Sequence, residues 1–184
     1  MKIALIVEGQ SDKIVFESQG DWFSQLGFEV TVRRTRGKPE MCKKARKFHR
    51  AETILGSQKA IFLPDQHGDP CATYTREKVG MDDCPCAITV VLKRELEAWI
   101  LADGKAVTKA TGKQYQPAGQ TDSVRDPKQE LTARFSRAFG YNPSEVEMAS
   151  EISQYFSLAR AAKYNTSAKR FVDELSALAR GQSP

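Results

Sequence analysis

The run Lys2-Ile3-Ala4-Leu5-Ile6-Val7-Glu8-Gly9 decides how the rest of the chain is read. It is short, apolar and β-rich, and it stops abruptly at an acid followed by a glycine. Ser11 or Asp12 can cap a helix directly behind it. That helix is expected to run to about Leu26, with Ile14, Val15, Trp22, Phe23 and Leu26 turned inward, and Gly27 ends it. Residues 28–34 then alternate, with Phe28, Val30 and Val32 on one side and Glu29, Thr31 and Arg33 on the other, which marks a second strand.

Working outward, Gly37-Lys38-Pro39 opens another helix, since proline fits a first turn. Met41, Ala45, Phe48, Ile54 and Leu55 are expected inward, and the lysines and arginines outward. Residues 59–63 form a third strand stopped by Pro64-Asp65. A short helix is expected over 71–79, and residues 87–92 form a fourth strand running into Lys93-Arg94-Glu95. This alternation predicts an α/β fold: a mostly parallel four-stranded sheet with right-handed crossovers, flanked by helices. From Glu95 onward the pattern is helical, with helices over 95–102, 104–111, 127–139, 144–156 and 166–179. A polar, mobile loop is expected over 113–125 and a frayed tail over 180–184. The expected organisation is an α/β core at 1–103 with a helical extension at 104–184 packed on it as one unit.

The 184 residues, 40% hydrophobic and 28% charged, suit one domain with a proper core. No apolar run approaches the roughly 20 residues of a membrane helix. The N-terminus lacks the longer apolar region and small-residue cleavage site of a signal peptide, so a cytoplasmic protein without a membrane partner is expected. Cys42, Cys71, Cys84 and Cys86 are then expected to be reduced thiols. Together with His67 they lack the paired C-x-x-C spacing of a zinc site. The net charge of +5 leans towards a polyanionic partner. Between Arg33 and Arg50 lie Arg34, Arg36, Lys38, Lys43, Lys44, Arg46 and Lys47, opposed only by Glu40. Such a run is either a solvated helix face or a surface that neutralises phosphates.

In open parallel sheets, ligands bind beyond the carboxyl ends of the strands. Glu8, Asp65 with its following loop, and Glu95 with Glu97 stand at such ends, so three strands deliver carboxylates to one edge. Oxygen ligands of this kind suit magnesium or manganese, and crowded carboxylates are naturally held by a cation. The competing explanation is helix capping, which fits Asp12 and Glu95 equally well.

Val7-Glu8-Gly9-Gln10-Ser11-Asp12 resembles the first motif of TOPRIM domains, a strand ending in glutamate and glycine. Pro64-Asp65-Gln66-His67-Gly68 resembles the second, a strand ending in an Asp-x-Asp pair and glycine. Arg94-Glu95-Leu96-Glu97-Ala98-Trp99, Ala102-Asp103, Ala106-Val107, Asp126-Pro127-Lys128 and Ser167-Ala168-Lys169-Arg170-Phe171 extend the likeness. In this order they resemble a bacterial TOPRIM-like family, the domain of unknown function catalogued under number 4276. The resemblance implies a TOPRIM core with helical additions, akin to the nucleases of the overcoming-lysogenisation-defect class. It also implies a glutamate acting as acid, base or ligand, an aspartate pair holding magnesium, and a place beside ATPases in bacterial defence or mobile-element systems. One departure stands out: His67 occupies the position of the second aspartate. Histidine is a poor magnesium ligand, so either Asp69 substitutes or the site has lost a ligand.

The expected activity is metal-dependent phosphodiester hydrolysis on DNA or RNA, with Glu8, Asp65 and His67 catalytic and Mg or Mn held by Glu8, Asp65, Asp69, Glu95 and Glu97. Lys13, Lys43, Lys44, Arg46, Lys47, Arg50 and Arg94 are the expected phosphate contacts. The alternative is a weak or inactive partner subunit that binds an ATPase or nucleic acid, and a homodimer is compatible with both. A phosphatase-like or nucleotide-binding role is a third option, although no G-x-x-x-x-G-K-[ST] loop occurs. Trp99, with Leu96, Ile100 and Leu101 around it, reads as core rather than as a base-stacking platform.

Overall fold

Residues Lys2–Val7 form β1, and Ile3, Ala4, Leu5, Ile6 and Val7 are all fully buried. An unbroken apolar strand of this kind needs cover on both faces. The computed structural model, which describes residues 1–181, provides it. β1 lies between β2 (Glu29–Arg34) and β3 (Lys59–Leu63), with β4 (Ala87–Thr89) beyond β3. The sheet is wholly parallel, in the order β2-β1-β3-β4. The protein is therefore an α/β fold with a helical C-terminal region. Part of the tail expected to fray, residues 182–184, lies outside the described residues.

The two sides of β1 feed two separate cores. Ile3, Leu5 and Val7 join Ile61 and Leu63 against Val15 and Phe16 of α1 (Gln10–Glu17) and Phe23 of α2 (Gly20–Gln25). Ala4 and Ile6 join Ala60 and Phe62 against Met41 and Ala45 of α3 (Lys38–Ile54) and Val79 of α4 (Ala72–Val79). The chain thus leaves β1 towards one face of the sheet and leaves β3 towards the other. That divergence opens a crevice between their carboxyl ends, the usual ligand position in such sheets.

The first face also receives everything that follows β4. This comprises α5 (Leu96–Ala102), α6 (Gly104–Thr111), α7 (Pro127–Phe139), α8 (Glu145–Ser153), α9 (Leu158–Ala161) and α10 (Thr166–Ala179). Phe16, Trp99 and Phe171 meet as a trio of rings with centroids 5.6–6.0 Å apart, joining α1, α5 and α10. Trp99 is wholly buried, as its apolar neighbours predicted.

Four local expectations need correction. The helix expected from residue 11 to 26 breaks at Ser18-Gln19. There the buried Gln19 leaves the helical path so that its amide donates to the Phe156 carbonyl at 3.1 Å. Ile54 and Leu55 point outward, 76% and 57% exposed, while Glu52 is buried and pairs with Arg33 of β2. The fourth strand is regular only to Thr89; its ladder continues through single bonds from Val90 N to Phe62 O and from Leu92 N to Pro64 O. The polar stretch over 113–125 is tied down by Thr108 and the Tyr164 carbonyl, and contains a 3-10 turn at Thr121–Ser123. Among the described residues no helix is long and apolar enough to cross a membrane.

Candidate metal and phosphate site

Val7 pairs with Arg34 on one side and Leu63 on the other, so β1, β2 and β3 end at one level. Glu8 is the first residue beyond that level, and its carboxylate joins the neighbouring loops. Oε1 accepts from Asp65 N at 2.9 Å and Oε2 accepts from Lys38 N at 3.0 Å. Its backbone carbonyl also accepts from Gly37 N at 3.1 Å. Asp12, in the first turn of α1, reaches back to Gly9 N at 2.8 Å and Glu8 N at 3.1 Å. The capping role foreseen for Asp12 is therefore real, and it also brings a second carboxylate to the crevice.

Glu95 arrives from the far side. It is the N-cap residue of α5, yet its Oε1 accepts from Lys128 N at 3.1 Å in the first turn of α7. Asp126 caps the same helix through Gln129 N at 2.9 Å. Glu97 follows in the first turn of α5. The resulting cleft of about 460 Å³ is lined by Glu8, Asp12, Asp65, Glu95, Glu97 and Glu145, with Arg34, Arg36 and Lys128 as its cations. Lys128 is paired with Glu145 at 2.5 Å. Arg34 and Arg36 make no side-chain ion pair among the described residues.

This concentration of acid is reflected in its proton affinities. Burial, followed by the charges of Asp12, Glu8, Glu97 and Glu95, pushes the Asp65 carboxyl well above the ordinary range. Burial and Glu95 raise Glu97 to about 7. Glu8 and Asp12 are also raised, chiefly by burial and despite the amides they accept. Among the described residues, no other residue donates a hydrogen bond to the Asp65 or Glu97 carboxylate. Such groups gain from either a proton or a cation. Their chemistry fits a hard divalent ion, although no three His, Cys, Asp or Glu side chains among the described residues are drawn up as a ready cage. An open acidic cleft suits magnesium-like ions, which keep several waters.

One expected ligand, Asp69, and one expected catalytic residue, His67, fall outside this cleft. Asp69 is committed elsewhere: Lys38 Nζ donates to it at 3.0 Å, Lys78 Nζ at 2.7 Å and Thr75 Oγ1 at 3.0 Å. Hydrogen bonds from Lys78, Lys38 and Thr75 hold its pKa down at about 2. His67 is exposed and does not line the cleft; its amide is bound to the Arg94 carbonyl at 3.0 Å and its own carbonyl to Lys38 Nζ at 2.5 Å. The motif position of His67 therefore does not translate into a place beside Glu8 and Asp65.

Of the expected phosphate contacts, Lys13 pairs with Glu17 at 3.6 Å, Lys44 with Glu40 at 2.5 Å and Arg46 with Asp83 at 2.9 Å. Lys43, Lys47, Arg50 and Arg94 are exposed and have no ion-pair partner among the described residues. Arg94 also takes a left-handed backbone, φ 73°, at the turn into α5. Arg34 and Arg36 were overlooked as site residues. The strand-end rule that selected Glu8 would have selected Arg34, the last residue of β2. Glu145 had no such signal, and Lys128 had only its place in the Asp126-Pro127-Lys128 segment, because the packing of α7 and α8 is what brings them here. Comparisons with protein-family models, with curated proteins and with solved structures each return no match.

Proposed function

We propose that the cleft binds a divalent cation, Mg or Mn, and hydrolyses phosphodiester bonds in DNA or RNA. The observation that carries this reading is the convergence of Glu8, Asp12, Asp65, Glu95 and Glu97 beside two unpaired arginines. Asp65 and Glu97, whose carboxylates no other residue engages, would hold the ion, with Glu8 and Glu95 contributing their free lone pairs. The ion would supply Lewis acidity and a more acidic bound water. Arg34 and Arg36 bind the phosphate oxygens and offset charge that develops at phosphorus. Without the ion Glu97 holds its proton up to about 7, so the ion would displace that proton and bind more tightly as pH rises through neutrality. The exposed Lys43, Lys47 and Arg50 of α3 extend phosphate contact away from the cleft, so binding weakens steeply with salt. The resemblance to TOPRIM-like nucleases points the same way, and a bacterial defence or mobile-element role follows from it.

A second reading is favoured by the pairing of Asp69 with Lys38 and Lys78. With that acid neutralised and His67 turned away, the chain would be a weak or inactive subunit that binds nucleic acid or an ATPase. Manganese titration followed by a cleavage assay separates the two. Under the first reading Mn binds, cleavage is Mn-dependent, and Asp65→Asn abolishes both. Mn binding without cleavage of any DNA or RNA supports the second, and absence of Mn binding overturns the first.

A further inference from the structure

A second concavity, sharing no lining residue with the acidic cleft, lies at the other end of α5. It has a volume of about 620 Å³, within the range of small-molecule sites. Its charge is the reverse of the cleft's. Lys105, Lys109 and Lys163 line it, and none makes an ion pair among the described residues, although Lys109 Nζ also stands 5.5 Å from the Tyr155 ring centroid. The only acid in the lining is Asp103, which is 1% exposed and already saturated. Its Oδ1 accepts from Arg160 Nε at 2.7 Å and Ala106 N at 3.3 Å, and its Oδ2 from Arg160 Nη2 at 2.8 Å and Ser157 N at 2.8 Å. Asp103 therefore fixes Arg160 in the wall without neutralising the lysines.

The walls are built rather than incidental. Thr108 Oγ1 both donates to the Tyr115 carbonyl, at 3.2 Å, and accepts from its amide, at 3.0 Å, holding the 113–117 segment against α6. That segment packs so closely on Gly104 that a Cβ there would lie 2.9 Å from Pro117 Cδ and from the Tyr115 carbonyl oxygen. Tyr164, 44% exposed, adds an aromatic surface, and the Gln114 and Gln116 side chains add amide donors and acceptors.

We propose that this cavity binds a phosphate-bearing small molecule of the nucleotide class. The three ammonium groups engage the phosphates, Tyr164 packs against the ring system, and the glutamine amides meet polar ring edges. The site is independent of the catalytic reading of the acidic cleft, so it is tested in chelator with no divalent ion present. ADP and inorganic pyrophosphate are titrated calorimetrically into the full chain, and into Lys105→Gln/Lys163→Gln and Lys109→Gln variants whose melting temperatures are checked. The expected result is ADP binding tighter than pyrophosphate binding, weakened by about tenfold or more in the double variant and by less in the single one. No ADP binding, or ADP binding indifferent to all three lysines, overturns the proposal. Pyrophosphate bound as tightly as ADP overturns the nucleotide assignment. Binding of a short oligonucleotide but not of ADP assigns the lysines to a nucleic-acid surface instead.

Discussion

Glu97 shows how one residue's surroundings set a property of the whole chain. Its carboxyl is raised from an ordinary value of 4.5 to about 7 by burial and by Glu95. A proton is therefore held more tightly in the folded than in the unfolded state. The stabilisation is complete below about 4.5 and is lost as pH rises through about 7. The metal-free protein should accordingly lose on the order of 3 kcal/mol from this group between those limits. Glu97→Gln should flatten that decline and be the more stable form at pH 8, as urea titrations across pH would register. If the variant's pH profile matched that of the parent, the buried, repelled carboxylate would be the wrong picture. Glu8 and Asp65 were legible in sequence because each directly follows a β-run, and strand ends point to one edge. Asp69 was misjudged because its partners, Lys38 and Lys78, come from two different helices, and no local pattern announces that pairing.

At the scale of elements, α6, α7 and α10 lie where their helical pattern placed them, and in the structure local caps fix their starts. Asp103, Asp126 and Asn165 each accept from the amide three residues ahead, and Pro127 occupies the first turn of α7. α3 was less transparent. Its early turns bury Met41 and Ala45 as periodicity demands, but its last turn exposes Ile54 and turns Glu52 inward. The cause is long-range: Arg33 and Thr31 of β2 both reach Glu52, with Thr31 at 3.4 Å. Glu52→Ala is therefore expected to destabilise the protein by about 1–3 kcal/mol, since it strands a donor beside a buried gap. Ile54→Lys with Leu55→Lys should change stability by less than about 0.5 kcal/mol. Chemical denaturation of the two variants decides this, and the reverse ordering would mean that the end of α3 packs otherwise.

At the scale of the molecule, the α/β portion and the helical portion share one core, in which Ile3 and Leu5 of β1 join Leu131, Phe135, Ile152 and Phe171. A boundary near residue 103 is then a change of architecture, not a line between independently stable parts. The full chain should unfold in a single transition, and residues 1–103 alone should show no cooperative melt by circular dichroism. A cooperative melt of the fragment would contradict a shared core. The site depends on the same union, since Lys128 and Glu145 come from the helical portion. Trp99 sits on the seam, wholly buried, its indole Nε1 donating to Ser167 Oγ of α10 at 2.7 Å. With Trp22, the other tryptophan, changed to phenylalanine, the fluorescence of Trp99 becomes a gauge of docking: were α10 to lift away, the indole would meet water and its emission would move to the red, even with the sheet intact.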